Sequence, residues 1–425
     1  MAWSRSIGAT VAAALLVLPA WSQPAAAPAQ EFGEEQKAAV LQRMTRLIER
    51  NAFVPGVDFG KWATYLEGAQ DSIAKAGTQE EFARAVNLAL RNFGFSHIVL
   101  QSPRDVGIFR SGSTVGVGIA TVPREEGLLV LRVVRDAPAE KAGLVPGDLI
   151  LEVDGKKPEG ISGISGPEGT QVRFKLKRRD GTLSDVTLTR SKFSTVRPEE
   201  LTWLSPDTAR LNVYTFGPGY SARRVDTLMA EAAKAKNLIV DLRDNPGGAV
   251  LNLQHLLGYF VSRDRSVGTF ITRDMVSAFK ESNAGENSEL AEIARWSQEQ
   301  EEFRGQQVRP ARIRGERFTG RVAVLINGGS GSASEIFAAA VREVGEAVIV
   351  GQKSAGAVLV SVIVPAGHGF SIQYPLSDYV TFGGRRLEGN GIEPDVASRE
   401  SRVRLPDDPD ETIDKAKELL AKPRA

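Results

Sequence analysis

Cysteine is absent from this chain. That excludes disulfides, thiol nucleophiles and thiolate metal sites. Histidine is scarce. His97, His255 and His368 are scattered, and none forms an HExxH pair or another close metal-ligand spacing. A metalloenzyme is therefore not expected, and neither a metal nor an organic cofactor is called for. No charge sign dominates, because 53 Lys and Arg face 52 Asp and Glu. Without a basic field, nucleic acid is not the expected partner. The apolar run from Ile7 to Ala20 falls short of the ~20 residues of a comfortable membrane span.

That run follows one early positive charge, Arg5, and precedes small residues. This is the layout of a secretory signal peptide. Residues 1–22 are read as the signal, with cleavage after Ser22, Ala27 or Ala29. The expectation is an exported protein of bacterial type, in periplasm, envelope or medium, with no stable membrane anchor left. A chain of 425 residues is longer than one domain usually needs, and 42% hydrophobic residues suffice for each unit to bury a core.

Several changes of pattern divide the chain. After an Ala- and Pro-rich leader, residues 30–100 read as helical. "EEQKAAVLQRMTRLIERNAF" spaces Ala39, Leu41, Met44 and Leu47 for one helix face. "TQEEFARAVNLALRNFG" opens on a Thr78/Glu81 capping box and stops at Gly94. "FSHIVLQ" then enters a strand. Residues 110–192 are β-rich, with a hairpin in which Val172, Phe174 and Leu176 alternate with cations around an Asp180-Gly181 turn. Residues 195–405 alternate strands and helices, which implies parallel pairing under helical cover. A tail or helix, 406–425, closes the chain. The fold class expected is multidomain α+β.

Ligand sites in such sheets lie beyond the carboxyl ends of strands. Two loops fall there: "DNPGG" after "NLIVDLR", and "GGSGSAS" after "RVAVLIN". The second holds Ser330, Ser332 and Ser334 at the head of an alanine-rich helix. A serine between strand and helix N-terminus meets free N–H groups and the positive end of the helix dipole, as a developing oxyanion requires. Gly247 and Gly248 permit close backbone approach. The bland alternative is a capping box, since Ser332 and Glu335 fit S-x-x-E. The loops alone name no base.

"NLIVDLRDNPGG", "RVAVLINGGSGSASEIFAAAVRE", "AVIVGQKSAG" and "RRLEGNGIEPDV", in this order, resemble the C-terminal processing peptidase and tricorn-core family of serine peptidases. "TVGVGIA" and "DAPAEKAGLVPGDLILEVDGK" resemble a PDZ domain. The resemblance implies an N-terminal helical segment, a PDZ-like domain and an α/β core of crotonase/ClpP-like type. It implies Ser332 as nucleophile. Many members carry a lysine base 25 residues further on, where this chain has Ala357; Lys353 lies four residues earlier. The tricorn-like branch offers a Ser-His pair and a glutamate instead, which map to Ser96, His97 and Glu388. On that mapping His97 is the base, Ser96 and Glu388 orient it, and Gly247 or Gly248 with Ala333 supplies the oxyanion hole. His255 and His368 read as structural and turn residues.

A PDZ fold binds a chain end by strand addition and captures its carboxylate with backbone N–H groups. Gly116, Val117, Gly118 and Ile119 form the candidate loop. The expected function is an exported serine endopeptidase acting in protein or peptide C-terminal regions, with substrate recognised by that domain. A peptide-binding protein without chemistry, and a Ser–Lys peptidase using Lys353, are the alternatives.

Overall fold

The computed structural model describes residues 32–158, 160, 163–283, 289–399 and 404–422. The expected signal segment, 1–22, lies outside the described residues. Among the described residues no helix is long and apolar enough to cross a membrane.

The first helix, Glu34–Asn51, buries Val40, Met44 and Ile48, four residues apart, together with Lys37. The expected face is rotated: Ala39 is exposed, and Leu41 and Leu47 are only partly covered. Lys37 can sit inside because its ammonium donates to Glu34 at 2.7 Å and to the Ala74 carbonyl at 3.0 Å. Its methylenes meanwhile fill apolar space. The helix Gln79–Arg91 carries the expected Thr78/Glu81 capping box.

These helices do not close a core alone. Phe82, Leu90 and Trp62 pack with Phe370, Ile372 and Tyr374 from the strand Phe370–Thr381. That strand anchors an antiparallel sheet. Val99–Gln101 pairs with it on one side and Val360–Gly367 on the other. The segment holding Ser96 and His97 is thereby fastened beside a strand some 270 positions later, Val99 lying opposite Gln373. His368 lies in the tight turn of that hairpin with φ 47°.

The β-rich segment is a five-stranded antiparallel meander from Ile119 to Thr189. Val172, Phe174 and Leu176 point inward with Leu128, Val130 and Ile150. A short ribbon, Ser113–Gly116 against Ser191–Ser194, joins its two ends.

The third sheet has six strands. Val396–Ala397, Val348–Gly351, Arg321–Ile326, Asn237–Asp241 and Thr208–Asn212 run parallel, and Glu200–Ser205 is an antiparallel edge. Its central strands are apolar on both faces, as burial between two layers requires. Helices Ala222–Ala232, Val250–Leu257 and Ala333–Glu343 cover one face. The C-terminal helix Glu411–Ala421 covers the other through Ile413, Ala416 and Leu420.

Because helices and hairpin share one core, Phe370→Ala should destabilise both together. A loss of about 3–5 kcal/mol is expected for a buried aromatic. Urea unfolding followed by far-UV dichroism and by Trp62 fluorescence should show one displaced transition for both signals. A helical region that melts apart from the hairpin would contradict the shared core.

Candidate functional site

Adjacent parallel strands, Asn237–Asp241 and Arg321–Ile326, deliver the two glycine-rich loops to one sheet edge. Asn245 is fully buried between them. Its amide nitrogen donates to the Val213 carbonyl at 2.8 Å, and its amide oxygen accepts from the Gly247 N–H at 2.9 Å. Its main-chain carbonyl accepts from the Gly331 N–H at 3.0 Å and the Ser334 hydroxyl at 2.9 Å. Ser330 is just as occupied. Its hydroxyl donates to the Leu242 carbonyl at 2.8 Å and accepts from the Asn327 N–H at 3.0 Å. Ser330 and Ser334 are both fully buried and hold the loops together. Ser332 is the partly exposed member of the three.

Ser332 has φ 53° and ψ −118°. A side chain held in this sparsely populated region is strained and is kept there by its surroundings. The turn is a sharp passage from strand to helix, a geometry that lifts a hydroxyl clear of the sheet. Glycine is obligatory opposite it. A Cβ on Gly247 would lie 2.6 Å from the Ser332 Cβ and 2.8 Å from the Ala333 nitrogen. One on Gly248 would lie 2.1 Å from the Gly217 nitrogen.

The donors beside Ser332 differ in availability. The Phe216 N–H donates to the Gly247 carbonyl, and the Ala249 N–H to the Phe216 carbonyl, each at 2.8 Å. In that parallel bridge the intervening Gly248 turns its own N–H away from Phe216. Gly248 and Ala333 N–H have no acceptor among the described residues, whereas the Gly247 N–H is held by Asn245.

A buried carboxylate fixes the far side of the turn. Glu335 accepts from the Ser332 N–H at 3.1 Å, the Gly356 N–H at 2.8 Å, the Ala357 N–H at 2.9 Å and the Ser354 hydroxyl at 2.5 Å. Burial pushes its pKa up, and these four donors act against that shift. The Ser332 N–H also donates to the Ala357 carbonyl at 2.7 Å. The capping role read from S-x-x-E is thus one part of a larger clamp on the loop 354–358.

The same loop carries a second carboxylate. Glu388, 5% exposed, accepts from the Val358 N–H at 2.7 Å. It also accepts from the Ser96 N–H at 2.7 Å and the Ser96 hydroxyl at 2.9 Å. The Ser96 oxygen lies 2.6 Å from His97 Nδ1. With the serine proton given to Glu388, the hydroxyl oxygen accepts from Nδ1–H. Nε2 is left with its lone pair and no partner among the described residues. His97 has φ 58°, a second strained non-glycine residue. Burial lowers the pKa of His97, and the Glu388 charge raises it in part.

Residues 207–398 match the family model described as peptidase family S41, and residues 129–178 match that of a PDZ domain. The chain carries an S41 peptidase domain. A probable CtpA-like serine protease of Staphylococcus haemolyticus is 26% identical over 67% of this chain and 53% of its own length. The carboxy-terminal processing protease CtpB of Bacillus subtilis is also 26% identical, over 89% of this chain and 72% of its own. The chain thus spans about half the length of the first relative. Among solved structures, mature CPAF complexed with lactacystin superposes with TM-score 0.53 at 15% identity, over 91% of this chain and 97% of that one, and so shares the fold.

In this S41 domain Lys353 is far from a base in character. It is exposed, and its ammonium is 2.8 Å from Glu393. His255 lies on the helix Val250–Leu257, bonded to Tyr220 and Asp226. At the PDZ loop Gly118 has φ 80°, and a Cβ there would fall 2.1 Å from the Ala137 Cβ. The carbonyls of Val117 and Gly118 accept from Ala139 and Val134. Their N–H groups have no acceptor among the described residues. Gly116 ends the ribbon and Ile119 opens the first PDZ strand. Among the described residues no His, Asp and Glu cluster could hold a metal ion.

Sequence reading did not single out Asn245, Ser354 or the wider role of Glu335. A buried Asn within a turn motif has no spacing signal, and the donors to Glu335 other than Ser332 come from 19 to 22 positions away.

Glu335→Ala would leave the Ser354 hydroxyl and the Gly356 and Ala357 N–H groups without their acceptor, while the Ser332 N–H would keep the Ala357 carbonyl. A destabilisation on the order of 3 kcal/mol or more is expected from such orphaned donors. Glu335→Gln, which keeps two acceptor sites, should lose less. Urea midpoints of the two variants check the order.

Proposed function

We propose that the chain is an exported serine endopeptidase in which Ser332 is the nucleophile and His97 its base. The observation that carries this reading is the hydrogen-bonded run Glu388–Ser96–His97. It is attached through Val358 to the loop whose Ala357 carbonyl holds the Ser332 N–H. Ser332 is also the loop serine not tied down as a structural group.

In this mechanism His97 Nε2 takes the Ser332 hydroxyl proton as the oxygen attacks the substrate carbonyl. Ser96 and Glu388 hold the ring by Nδ1 and stabilise the imidazolium that forms, the role of the third member of a triad. The tetrahedral oxygen is met by the Gly248 and Ala333 N–H groups, the two free donors beside Ser332. His97 returns the proton to the leaving amine, and water then hydrolyses acyl-Ser332 by the reverse sequence. No step needs a metal or an organic cofactor. The Gly116–Ile119 loop, with its two unused N–H groups, is suited to a substrate C-terminal carboxylate. Lys353 has no support as a base, because an exposed, ion-paired ammonium has no lone pair to offer.

Cleavage of casein by the chain residues 23–425, beside Ser332→Ala and His97→Ala, tests the proposal. Ser332→Ala should abolish cleavage and fluorophosphonate labelling. His97→Ala should lower turnover by at least about 10²-fold, the scale of a general base. Normal labelling and turnover of His97→Ala would remove His97 as the base and return the Lys353 alternative, whereas failure of the parent chain to label would leave the non-catalytic peptide-binding alternative as the better reading.

The pH profile carries its own sign. The working form of His97 is the neutral ring, and burial lowers its pKa. Activity should therefore rise with pH and reach half its plateau below about 6.5, the ordinary His value. Glu388 holds that pKa up, so Glu388→Gln should move the limb to still lower pH while lowering the plateau. A limb above 6.5 would contradict burial as the dominant influence on His97.

A further inference from the structure

A second polar cluster lies behind the Gly247–Ala249 segment, outside the site built above. The Tyr220 hydroxyl is 2.8 Å from His255 Nδ1, and His255 Nε2 is 2.9 Å from Asp226 Oδ1. The Tyr259 hydroxyl donates to that same carboxylate oxygen at 2.6 Å. Tyr259 is 2% and Tyr220 9% exposed, while His255 and Asp226 are partly buried. Burial, with Glu199 and Asp226 nearby, raises the Tyr220 phenol far above its usual range, which keeps it a protonated donor. In the tautomer whose Nε2–H donates to Asp226, Nδ1 accepts from the Tyr220 hydroxyl, and every bond of the chain has a donor and an acceptor.

The cluster is mechanically linked to the proposed oxyanion donors. Tyr220 stacks on Phe216 with ring centroids 5.8 Å apart. Phe216 forms both backbone bonds that frame Gly248, and the Asn252 amide adds a third to its carbonyl at 2.7 Å. The Phe216 ring also meets Phe337 at 6.4 Å, on the helix that Ser332 opens. Between Phe216 and Tyr220 lie Gly217, Pro218 and Gly219. Paired glycines hold a backbone weakly, so the position of Phe216 depends on anchors at both ends of this short loop. The Tyr220–His255 bond is the side-chain anchor at the far end, beside the backbone bonds of Tyr220 N–H to the Gly217 carbonyl at 3.0 Å and of Ser221 N–H to Glu199 at 2.9 Å.

We propose that His255 is a positioning residue for the peptidase reaction: through Tyr220 and Phe216 it holds the Gly248 N–H on the site of the developing oxyanion. The inference rests on the peptidase reading given above. It differs from a stability role because the aim of a donor at the oxyanion matters in the transition state and hardly at all for ground-state binding. His255 touches neither substrate nor reacting atoms.

Tyr220→Phe removes one hydroxyl and keeps the ring, and His255→Gln keeps a donor for Asp226 while releasing Tyr220. Each is compared with the unaltered chain in kcat, KM, inhibition by a peptide aldehyde and thermal midpoint. An aldehyde adds to a reactive serine and forms a tetrahedral oxyanion, so it reads donor aim directly. Both variants should lose about five- to tenfold in kcat, the scale of one hydrogen bond. KM should change by less than about twofold, since ground-state contacts are retained. The aldehyde inhibition constant should rise by the factor that kcat/KM falls. If His255→Gln does not fold, the isosteric Tyr220→Phe variant decides the question alone. Unchanged kcat in a folded Tyr220→Phe variant, or a rise in KM at constant kcat, overturns the inference and leaves the peptidase reading intact. No Ser332-dependent turnover in the unaltered chain overturns both.

Discussion

A carboxylate withdrawn from water must be given donors, or its burial destabilises the fold. Glu335 and Glu388 impose that constraint on the same stretch of backbone. Glu335 is fully buried and takes its donors from Ser332, Ser354, Gly356 and Ala357. Glu388 takes Val358 and Ser96. The loop 354–358 is therefore clasped from two sides, by a helix that starts at the nucleophile candidate and by Glu388, which also bonds Ser96 beside the His97 ring. Gly356, at φ 69°, is what turns the chain so that successive N–H groups face first one carboxylate and then the other.

In this clamp Ala357, at the position where the resembled family often carries a lysine, takes part through its backbone alone. Its N–H serves Glu335, and its carbonyl receives the Ser332 N–H. On the proposed reading, the loop no longer brings a base. It carries the registry between Ser332 and a base that comes from the opposite end of the chain. The strained backbones of Ser332 and His97 fit that view, because strain of this kind persists only where surrounding bonds over-determine it.

The oxyanion side is held differently. Asn245 ties the two glycine loops through two hydrogen bonds at its carbonyl, from Gly331 and Ser334, and its side-chain oxygen holds the Gly247 N–H. Phe216 frames Gly248 from the other edge, with the Tyr220–His255–Asp226 bonds behind it. Burial of polar groups here gives direction to backbone donors, which are otherwise interchangeable along the chain.

Periodicity and turn chemistry made much of the molecule readable from its sequence: the α/β alternation, the hairpin around Asp180-Gly181, the Thr78/Glu81 cap, and the two loops at one sheet edge. These are local signals, set by side-chain spacing and backbone sterics within a few residues. On the helix 34–51 Met44 is buried as expected, but Ala39 is exposed and Leu41 and Leu47 are only partly covered, and Lys37 turns inward with Ala74 and Glu34 as partners. Ser96, His97 and Glu388 became candidates through family resemblance, because nothing local relates a Ser-His pair to a glutamate 292 positions away. Which loop serine stays free, which glycine offers its N–H, and what His255 holds were decided by tertiary structure. Each depends on a hydrogen bond between groups distant in sequence, and such a bond exists only once the chain has packed.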